Sequence, residues 1–246
     1  MISIIIPTKD RWDKLQATLK AIKENSTLAY EIIIIFDGDK EGFEKFPKLK
    51  IKEKYGRVIA VYNSESQEYW HCINQGAIMA DGEYIIYLAD DIRPIKGWLE
   101  ELKNTFEKNF PDGIGLVALK TDLGEGETHA PHGMVSKKFI ASQGYLSPPD
   151  AYWHYFADTE LSLRMQMIKK YACTEKVVCY HDKPQKDQKF NDKVYSESWN
   201  KCWKHDELNF HLRNPNLVAA MILVQPGMPN FLQTQLWYEQ IFRKKI

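Results

Sequence analysis

Two adjacent aspartates, Asp90 and Asp91, directly follow the apolar run YIIYLA at residues 84–89. Neighbouring carboxylates repel each other, so such a pair is costly unless a cation lies between them or water solvates both. Mg²⁺ and Mn²⁺ take oxygen ligands and often share them with phosphate oxygens. The pair therefore indicates a divalent-metal site that neutralises the charge on a leaving phosphate, with a solvated loop as the alternative.

A second acidic pair, Asp158 and Glu160, lies in the segment ADTELSLR at residues 157–164. Apolar residues that follow at helical spacing predict a helix over 158–171. A carboxylate at the start of a helix can take the proton from an attacking hydroxyl. It can equally cap the helix by accepting a hydrogen bond from a backbone amide. The residue types alone leave both roles open for Asp158.

Apolar runs that alternate with helical patterns predict the elements that must position these carboxylates. Continuous β-branched strands between helices are typical of a parallel sheet covered by helices on both faces. Ligands of such sheets bind beyond the carboxyl ends of the strands, so the polar residues that follow three of the runs should converge there. The predicted strands are 2–7, 31–36, 57–62, 84–89, 115–121 and 176–181, with helices at 10–24, 68–79, 98–110 and 158–171, a strand and short helix within 134–146, and helices within 191–246.

Composition sets limits on the class of protein. The 246 residues suit one large domain, and the 33 basic and 33 acidic residues give no net charge, which weighs against non-specific nucleic-acid binding. Four cysteines without a CxxC pair indicate thiols in a reducing compartment. The start MISIIIPTKD lacks the features of a signal peptide, and the longest apolar run, 217–224, is too short to span a bilayer. We therefore expect a cytoplasmic protein.

Five segments carry a family resemblance in the same order along the chain: SIIIPTKDR, EIIIIFDGD, INQGAIMADGEYIIYLADD, ADTELSLR and CYHD. From residue 2 to about 182 the chain resembles the inverting glycosyltransferases of family two, which have the GT-A fold. The resemblance implies an α/β fold, a mostly parallel sheet flanked by helices with a helical C-terminal extension. It also implies a catalytic domain at 1–185, divided into a nucleotide-sugar-binding half (1–112) and an acceptor-binding half (113–185), followed by the extension at 186–246.

The resemblance also implies which residues bind the nucleotide-sugar donor, for which a UDP-sugar is the leading expectation. These residues follow the first two strands, lie in the 68–79 helix or belong to the aspartate pair: Pro7, Thr8, Arg11, Asp37, Asn74, Gly76 and Asp90. An aspartate at a strand end can accept a hydrogen bond from a base, and an arginine can bind a phosphate. The alternatives are a turn formed by Asp37 with Gly38, and a solvated position at the start of a helix for Arg11.

The family's DxD metal motif falls on residues 89–91, where this chain has alanine at the first position. The resemblance therefore implies Asp91 as the direct ligand of Mn²⁺ or Mg²⁺, and Asp90 as a contact to the ribose or to a metal-bound water. His181, at the end of the last predicted strand, is the second expected ligand, because neutral imidazole binds Mn²⁺. A surface or core histidine is the alternative there.

Inverting transfer requires a general base, and the family's Glu-Asp motif falls on Ala157-Asp158. The resemblance thus implies Asp158 as the base, with Glu160 as the second choice. We expect the acceptor to contact His132, Trp153 and Tyr155, because the aromatic run 152–156 offers faces on which a sugar can stack. Core packing of these rings, and a plain loop histidine at 132, are the alternatives.

The acceptor class is left open by the sequence, and a saccharide or another hydroxyl compound is the leading expectation. The apolar, aromatic and basic run 217–246 leaves open a peripheral contact with the inner face of a membrane, beside packing onto the domain or dimerisation. Two other functions stay open: a nucleotide-sugar-binding protein without catalysis, and a transferase that acts on a nucleic-acid base. A nucleotidyltransferase would need a glycine-rich phosphate loop after the first strand, and SIIIPTKDR has no glycine.

Overall fold

The computed structural model describes residues 1–48, 57–183, 187 and 192–215. Nine strands and seven α-helices lie within these residues. The strands are β1 (Ile2–Thr8), β2 (Tyr30–Asp37), β3 (Val58–Asn63), β4 (Tyr84–Tyr87), β5 (Ile92–Pro94), β6 (Leu116–Ala118), β7 (Gly133–Ser136), β8 (Tyr171–Cys173) and β9 (Cys179–His181). The helices are α1 (Trp12–Asn25), α2 (Lys40–Lys45), α3 (Tyr69–Met79), α4 (Trp98–Asn109), α5 (Lys137–Gln143), α6 (Ala157–Met167) and α7 (Lys193–Arg213).

Seven strands form one sheet in the order β3-β2-β1-β4-β7-β6-β8, and β5 pairs with β9 in a small second sheet. Six strands of the large sheet run in the same direction, and β7 alone is antiparallel to its neighbours β4 and β6. This arrangement confirms the expected α/β fold with a mostly parallel sheet flanked by helices.

The central strands are buried on both faces, which explains the isoleucine runs within them. All seven residues of β1 and all eight of β2 are buried. Ile4 and Ile34 belong to one core, whereas Ile5 and Ile33 belong to the other. Helices α1 and α4 cover the first face, and α3, α5 and α6 cover the second together with Phe210 of α7. A strand between two apolar layers has no polar face, so its sequence does not alternate.

The structure differs from the predicted elements mainly where strands are short. β5, β8 and α2 were not predicted, because three-residue strands and a six-residue helix carry too little periodicity. The helix predicted over 158–171 ends at Met167, and Lys169 then adopts a left-handed φ of 58° before the chain enters β8. The strand predicted over 115–121 is confined to β6, and that over 176–181 to β9.

Helix α7, the described part of the expected C-terminal extension, packs directly on the domain. The amides of Trp153, His154 and Tyr155 donate to the buried carboxylate of Asp206 at 2.8–3.0 Å. Residues 216–246, with the proposed membrane-contact run, lie outside the described residues, as does the expected domain boundary at 185/186. Among the described helices, none combines the length and apolar character needed to cross a bilayer.

Candidate functional site

A cleft of about 650 Å³ lies at the carboxyl ends of β1, β2 and β4, a volume suited to a small-molecule ligand. Polar residues from these three strand ends line it together, as the strand pattern predicted. Of the expected site residues, the cleft brings together Pro7, Thr8, Arg11, Asp37, Asp90, Asp91, His132, Tyr155, Asp158 and His181. Asn74, Gly76, Trp153 and Glu160 do not line it.

Asp90 is held by the end of β1 and the start of α1. Thr8 Oγ1 donates to Asp90 Oδ2 at 2.8 Å, and Arg11 Nη1 lies 3.3 Å from Asp90 Oδ1. The hydroxyl of Thr18 donates to the Asp90 carbonyl at 2.5 Å. These side-chain bonds from β1 and α1 hold the turn that follows β4 and so position Asp90.

Asp91 lies next to His181 because of the small second sheet. Ile92 of β5 pairs with His181 of β9, and the amide of Asp182 donates to the Asp91 carbonyl at 3.1 Å. His181 Nε2 is 3.4 Å from Asp91 Oδ1, and that oxygen is buried without a hydrogen-bond partner among the described residues. β5 belongs to the expected nucleotide-sugar-binding half (1–112) and β9 to the expected acceptor-binding half (113–185), so their pairing joins the two halves.

Burial and the neighbouring charges shift the pKa values of the two aspartates in opposite directions. Burial, with the Asp91 charge, raises the pKa of Asp90 to about 6 although Arg11 opposes the shift. Burial also acts to raise the pKa of Asp91, but His181, Arg11 and Lys14 outweigh it and hold that pKa well below its usual range. Asp91 therefore loses its proton at lower pH than Asp90 does.

Arg11 and Lys14 form the cationic side of this site. Arg11 Nη1 lies 3.5 Å from Asp91 Oδ2, and Lys14 Nζ lies 3.9 Å from the same oxygen. Both cations also contact Asp192 at the start of α7, at 2.9 and 2.7 Å. Burial acts to lower the pKa of Arg11, but the three carboxylates raise it above its usual value. Sequence reasoning did not identify Lys14 or Asp192.

Glu125 and His132 complete a buried cluster with His181. Ligand atoms of these three residues all lie within 4.8 Å of one another. Glu125 Oε2 is 2.6 Å from His181 Nδ1, and Lys183 Nζ donates to its other oxygen at 2.6 Å. Burial, reinforced by the charge of His181, lowers the pKa of His132 to about 3, so this ring is neutral. Sequence reasoning missed Glu125, although its place between Gly124 and Gly126 marked a tight loop.

Asp158 faces the cleft from the first turn of α6. The cap position is Phe156, with a left-handed φ of 63°, and it makes no side-chain cap bond. Asp158 is thus one residue inside the helix, not the capping residue that the alternative interpretation required. Tyr69 also lines the cleft, and its buried hydroxyl has no hydrogen-bond partner among the described residues. Burial, together with the Asp158 charge, raises the pKa of Tyr69.

Glu160 points away from the cleft and joins α6 to α7. Arg213 donates to its carboxylate at 2.9 and 3.0 Å, Asn214 at 3.1 Å, and Tyr152 donates to it as well. Arg164 lies 2.7 Å away, and these partners lower the pKa of Glu160 to about 2 although burial opposes the shift. A carboxylate so fully engaged has little basicity, so the geometry favours Asp158 over Glu160 as the base.

Asn74 and Gly76 serve the packing of α3 rather than the cleft. Asn74 Nδ2 donates to the Ser147 carbonyl at 2.7 Å, and its Oδ1 accepts from the amides of Leu146 and Ser147. A Cβ on Gly76 would lie 2.4 Å from Ile5 Cγ2, so glycine lets α3 approach β1 closely. The structure does not bring either residue to the donor-binding cleft expected from the resemblance.

Asp37 lines the cleft and organises the loop after β3. Its Oδ1 accepts from the amide of Gln67 at 2.7 Å, and its Oδ2 accepts from Ser66 Oγ at 2.6 Å and the amide of Glu68 at 3.0 Å. Burial acts to raise the pKa of Asp37, but these bonds lower it. The expected turn with Gly38 is also present, since Gly38 has a φ of 76°.

Aromatic rings from the loop before α6 and from α7 form one wall of the cleft. Tyr155 and Trp199 both line it, and their ring centroids are 5.5 Å apart. Trp153 instead stacks on His205 with centroids 3.7 Å apart, so it supports α7 from outside the cleft. Trp199 was missed because only the packing of α7 across the cleft brings it beside the 152–156 run.

Comparison with curated proteins gives two partial relatives. An uncharacterized protein, y4gI, of Sinorhizobium fredii is 25% identical over 165 residues, 65% of this chain and 18% of that protein. An uncharacterized glycosyltransferase of Haemophilus influenzae is 26% identical over 110 residues, 44% of this chain and 35% of that protein. The matched region thus spans about a fifth and a third of these relatives.

Solved structures share the fold at low identity. The TarS fragment 1–349 of S. aureus, in complex with UDP-GlcNAc, matches with a TM-score of 0.57 and 14% identity over 73% of this chain and 57% of that one. The mannosyltransferase PcManGT of Pyrobaculum calidifontis, in complex with GDP-Man and Mn²⁺, matches with a TM-score of 0.56 and 13% identity over 97% of this chain and 80% of that one. At these identities the likeness concerns the fold alone.

A family model gives the firmest assignment, because it covers most of the chain. It matches residues 3–182, which include the strand ends of the cleft, the aspartate pair, Asp158 and His181. By this match the chain belongs to glycosyl transferase family 2.

Proposed function

We propose that this chain is an inverting glycosyltransferase that moves a sugar from a nucleoside-diphosphate sugar to an acceptor hydroxyl. The observation that carries the proposal is one cleft with a buried anionic aspartate, Asp91, beside two cations, and a carboxylate, Asp158, in its wall. Asp91 and the two cations suit a metal-bound diphosphate, and Asp158 suits the role of taking a proton from an attacking hydroxyl. A nucleotide-sugar donor, with a UDP-sugar as the first choice, is supported by the UDP-GlcNAc and GDP-Man complexes of the structural neighbours.

The donor would lie along the strand ends. Pro7, Thr8 and Asp37 line the nucleotide part of the cleft, and Asp37 holds the 63–68 loop in place. Asp90, whose carboxylate is held by Thr8, is proposed to contact the ribose. Arg11 and Lys14 would bind the diphosphate, because guanidinium and ammonium groups pair with phosphate oxygens.

The residues present fit a divalent metal. Asp91 Oδ1 is a buried carboxylate oxygen without a hydrogen-bond partner among the described residues, and it faces His181 Nε2. Mn²⁺ or Mg²⁺ would be held by Asp91 and His181, and the ion would neutralise charge on the leaving diphosphate. Mn²⁺ is supported by the PcManGT complex.

The proposed reaction is a single displacement. The acceptor oxygen forms a bond to the anomeric carbon while the bond from that carbon to the diphosphate oxygen breaks. The acceptor proton passes to the carboxylate of Asp158, and the nucleoside diphosphate leaves with the electron pair. Attack opposite the leaving group inverts the anomeric configuration. Tyr155 and Trp199 would stack against a sugar acceptor beside Asp158.

The proposed cytoplasmic location is supported by the four cysteines, which are all free thiols. The acceptor, a saccharide or another hydroxyl compound, and contact with the inner face of a membrane remain proposals from the sequence.

A thermal-shift screen tests the donor proposal. UDP-, GDP-, TDP- and CMP-sugars would be added to the wild type and to Asp91→Asn, with and without Mn²⁺. We expect one nucleotide class to stabilise the wild type by several degrees with Mn²⁺, and to lose most of that effect in Asp91→Asn. If no nucleotide sugar raises the melting temperature, the donor proposal is wrong.

A further inference from the structure

His132 is a buried histidine whose two ring nitrogens both lack a hydrogen-bond partner among the described residues. The residue is only 4% exposed. Leaving a buried polar atom unpaired is costly, so two such atoms in one ring call for a ligand. The ring packs edge-to-face on His181, with centroids 4.9 Å apart.

The backbone fixes where this ring lies. β7 is antiparallel to β4, and Gly133 pairs with Tyr87, so the residue before β7 reaches the edge where β4 ends. The His132 carbonyl accepts from the amide of Leu119 at 3.1 Å. A Cβ on Gly133 would lie 2.6 Å from the Tyr87 hydroxyl, so the close strand approach requires glycine. The ring therefore stands at the cleft wall beside His181 and near Asp91.

Glu125 orients His181. Its Oε2 lies 2.6 Å from His181 Nδ1, and Lys183 and Thr121 bind the carboxylate from other directions. When Nδ1–H donates to Glu125, the lone pair of the ring lies on Nε2. Metal-binding histidines commonly have their other ring nitrogen held by a carboxylate in this way.

His181 and Asp91 lie close enough together to bind the same ion. His181 Nε2 and Asp91 Oδ1 are 3.4 Å apart, beyond an ordinary hydrogen bond. Two ligand atoms that are each roughly 2.1–2.2 Å from one ion can lie this far apart. Ligand atoms of His132, His181 and Glu125 lie within 4.8 Å of one another, which places His132 beside the ring that faces Asp91.

We propose that His132 is a third protein ligand of the metal and that Glu125 is the residue that positions His181. The site would then hold its ion through two imidazoles and one carboxylate, Asp91. Imidazole favours first-row transition metals, whereas Mg²⁺ prefers oxygen ligands. The site would therefore select Mn²⁺, Co²⁺ or Zn²⁺ over Mg²⁺. This inference rests on the proposed function only for the role of the ion beside a donor, because binding of the ion itself needs no nucleotide.

A hydrogen-bonded chain of Asp91, His181 and Glu125 without a metal is the competing explanation. It accounts for the contacts of His181 but leaves both nitrogens of His132 unpaired. The two explanations differ in whether His132 affects metal binding.

Metal titration of the chelator-treated full chain, without donor, tests the proposal. Mn²⁺ and Mg²⁺ affinities would be measured by calorimetry for the wild type, His132→Phe, Glu125→Gln and His71→Gln. His71 is the matched control, since it is an imidazole that does not line the cleft. We expect the wild type to bind Mn²⁺ at least about tenfold more tightly than Mg²⁺, and Glu125→Gln to weaken Mn²⁺ binding by about 10–100-fold. His132→Phe should lose most of the preference for Mn²⁺, and His71→Gln should match the wild type.

Pulsed electron paramagnetic resonance of bound Mn²⁺ gives a second readout. We expect nitrogen couplings from two imidazoles in the wild type and from one in His132→Phe. Because Phe removes two unpaired buried nitrogens, this variant should be at least as stable as the wild type without metal. If His132→Phe fails to fold, the proposal is still tested by the wild type, through its preference for Mn²⁺ over Mg²⁺ and the number of imidazole nitrogens coupled to Mn²⁺.

Three results would overturn the proposal: no Mn²⁺ binding by the wild type, equal affinity for Mn²⁺ and Mg²⁺, or wild-type Mn²⁺ binding by His132→Phe. Failure of the transferase proposal is a separate outcome. Metal binding that depends on His132, without stabilisation by any nucleotide sugar, would support the metal site and reject the donor.

Discussion

Asp192 Oδ1 lies 2.9 Å from Arg11 Nη2, so the first residue before α7 is paired with a cation of the proposed diphosphate site. Its second oxygen lies 2.7 Å from Lys14 Nζ. A diphosphate bound to Arg11 and Lys14 would compete with this carboxylate. Asp192 also caps α7 by accepting from the amide of Tyr195 at 2.8 Å.

Replacement of Asp192 by asparagine should tighten UDP binding by about 3- to 10-fold, because each partly exposed ion pair is worth about 0.2–1 kcal/mol. Asparagine keeps the capping function, so the helix itself should be unaffected. Calorimetry with UDP and Mn²⁺ measures the change. Glu197→Gln is the control, since it removes one negative charge from the first turns of α7 at a position that lines the cleft. If both variants tighten UDP binding equally, the effect comes from net charge and not from the pairing of Asp192 with Arg11 and Lys14.

Replacement of Asp158 by asparagine should reduce turnover of the donor by about 10²–10⁴-fold, the usual contribution of a general base. Donor affinity should stay within about twofold of the wild type, because Asp158 would contact the acceptor. Release of nucleoside diphosphate measures the first quantity and calorimetry the second. A turnover near that of the wild type would show that another group takes the proton.

Glu160→Gln should instead lower stability, by about 2 kcal/mol at pH 7, because it leaves Arg213 without its buried partner. The pKa of Glu160 falls from 4.5 to about 2 on folding, so its contribution is present above pH 4.5 and is lost as the pH falls toward 2. Urea unfolding at several pH values should therefore show that the difference between wild type and variant shrinks with acidification. Glu175→Gln, at an exposed position, is the control. A difference that does not change with pH would contradict the assigned role.

Gly76→Ala should destabilise the protein by about 1–3 kcal/mol, because the new methyl group would overlap Ile5 in the core. UDP affinity, measured where the variant is fully folded, should not change. Ile78→Ala, at an exposed position of the same helix, should have little effect on stability. Loss of UDP binding by a folded Gly76→Ala variant would instead support the expectation that Gly76 contacts the donor.

Most of the sheet could be predicted from sequence because the isoleucine-rich strands β1 and β2 are buried on both faces and carry a strong pattern. The meeting of Thr8, Asp90 and Asp91 at one edge follows from parallel strands alone. His181 was expected from the resemblance, whereas its partner Glu125 depends on a loop whose path no local pattern encodes. Asn74 was expected at the donor but binds the backbone at 146–147, and an asparagine in a helix has the same sequence signal in either role.

The residues that α7 and its cap bring to the site could not be predicted for a related reason. Asp192 and Trp199 are more than 100 residues from the strand ends in sequence, and only the packing of α7 on α6 brings them there. Asp206 and Arg213 fix this packing by bonds to the Trp153 amide and to Glu160. These partners are distant in sequence, so no local pattern reveals the bonds.

Nuclear magnetic resonance of donor turnover tests the central claim most directly. An α-linked nucleotide sugar that stabilises the protein would be incubated with the wild type and Mn²⁺, and the anomeric signal of the first product would be followed before mutarotation. The proposed single displacement predicts the β-anomer first, together with free nucleoside diphosphate, and strongly reduced turnover in Asp158→Asn. Appearance of the α-anomer first, or no turnover of any donor that binds, would contradict an inverting transferase at this cleft.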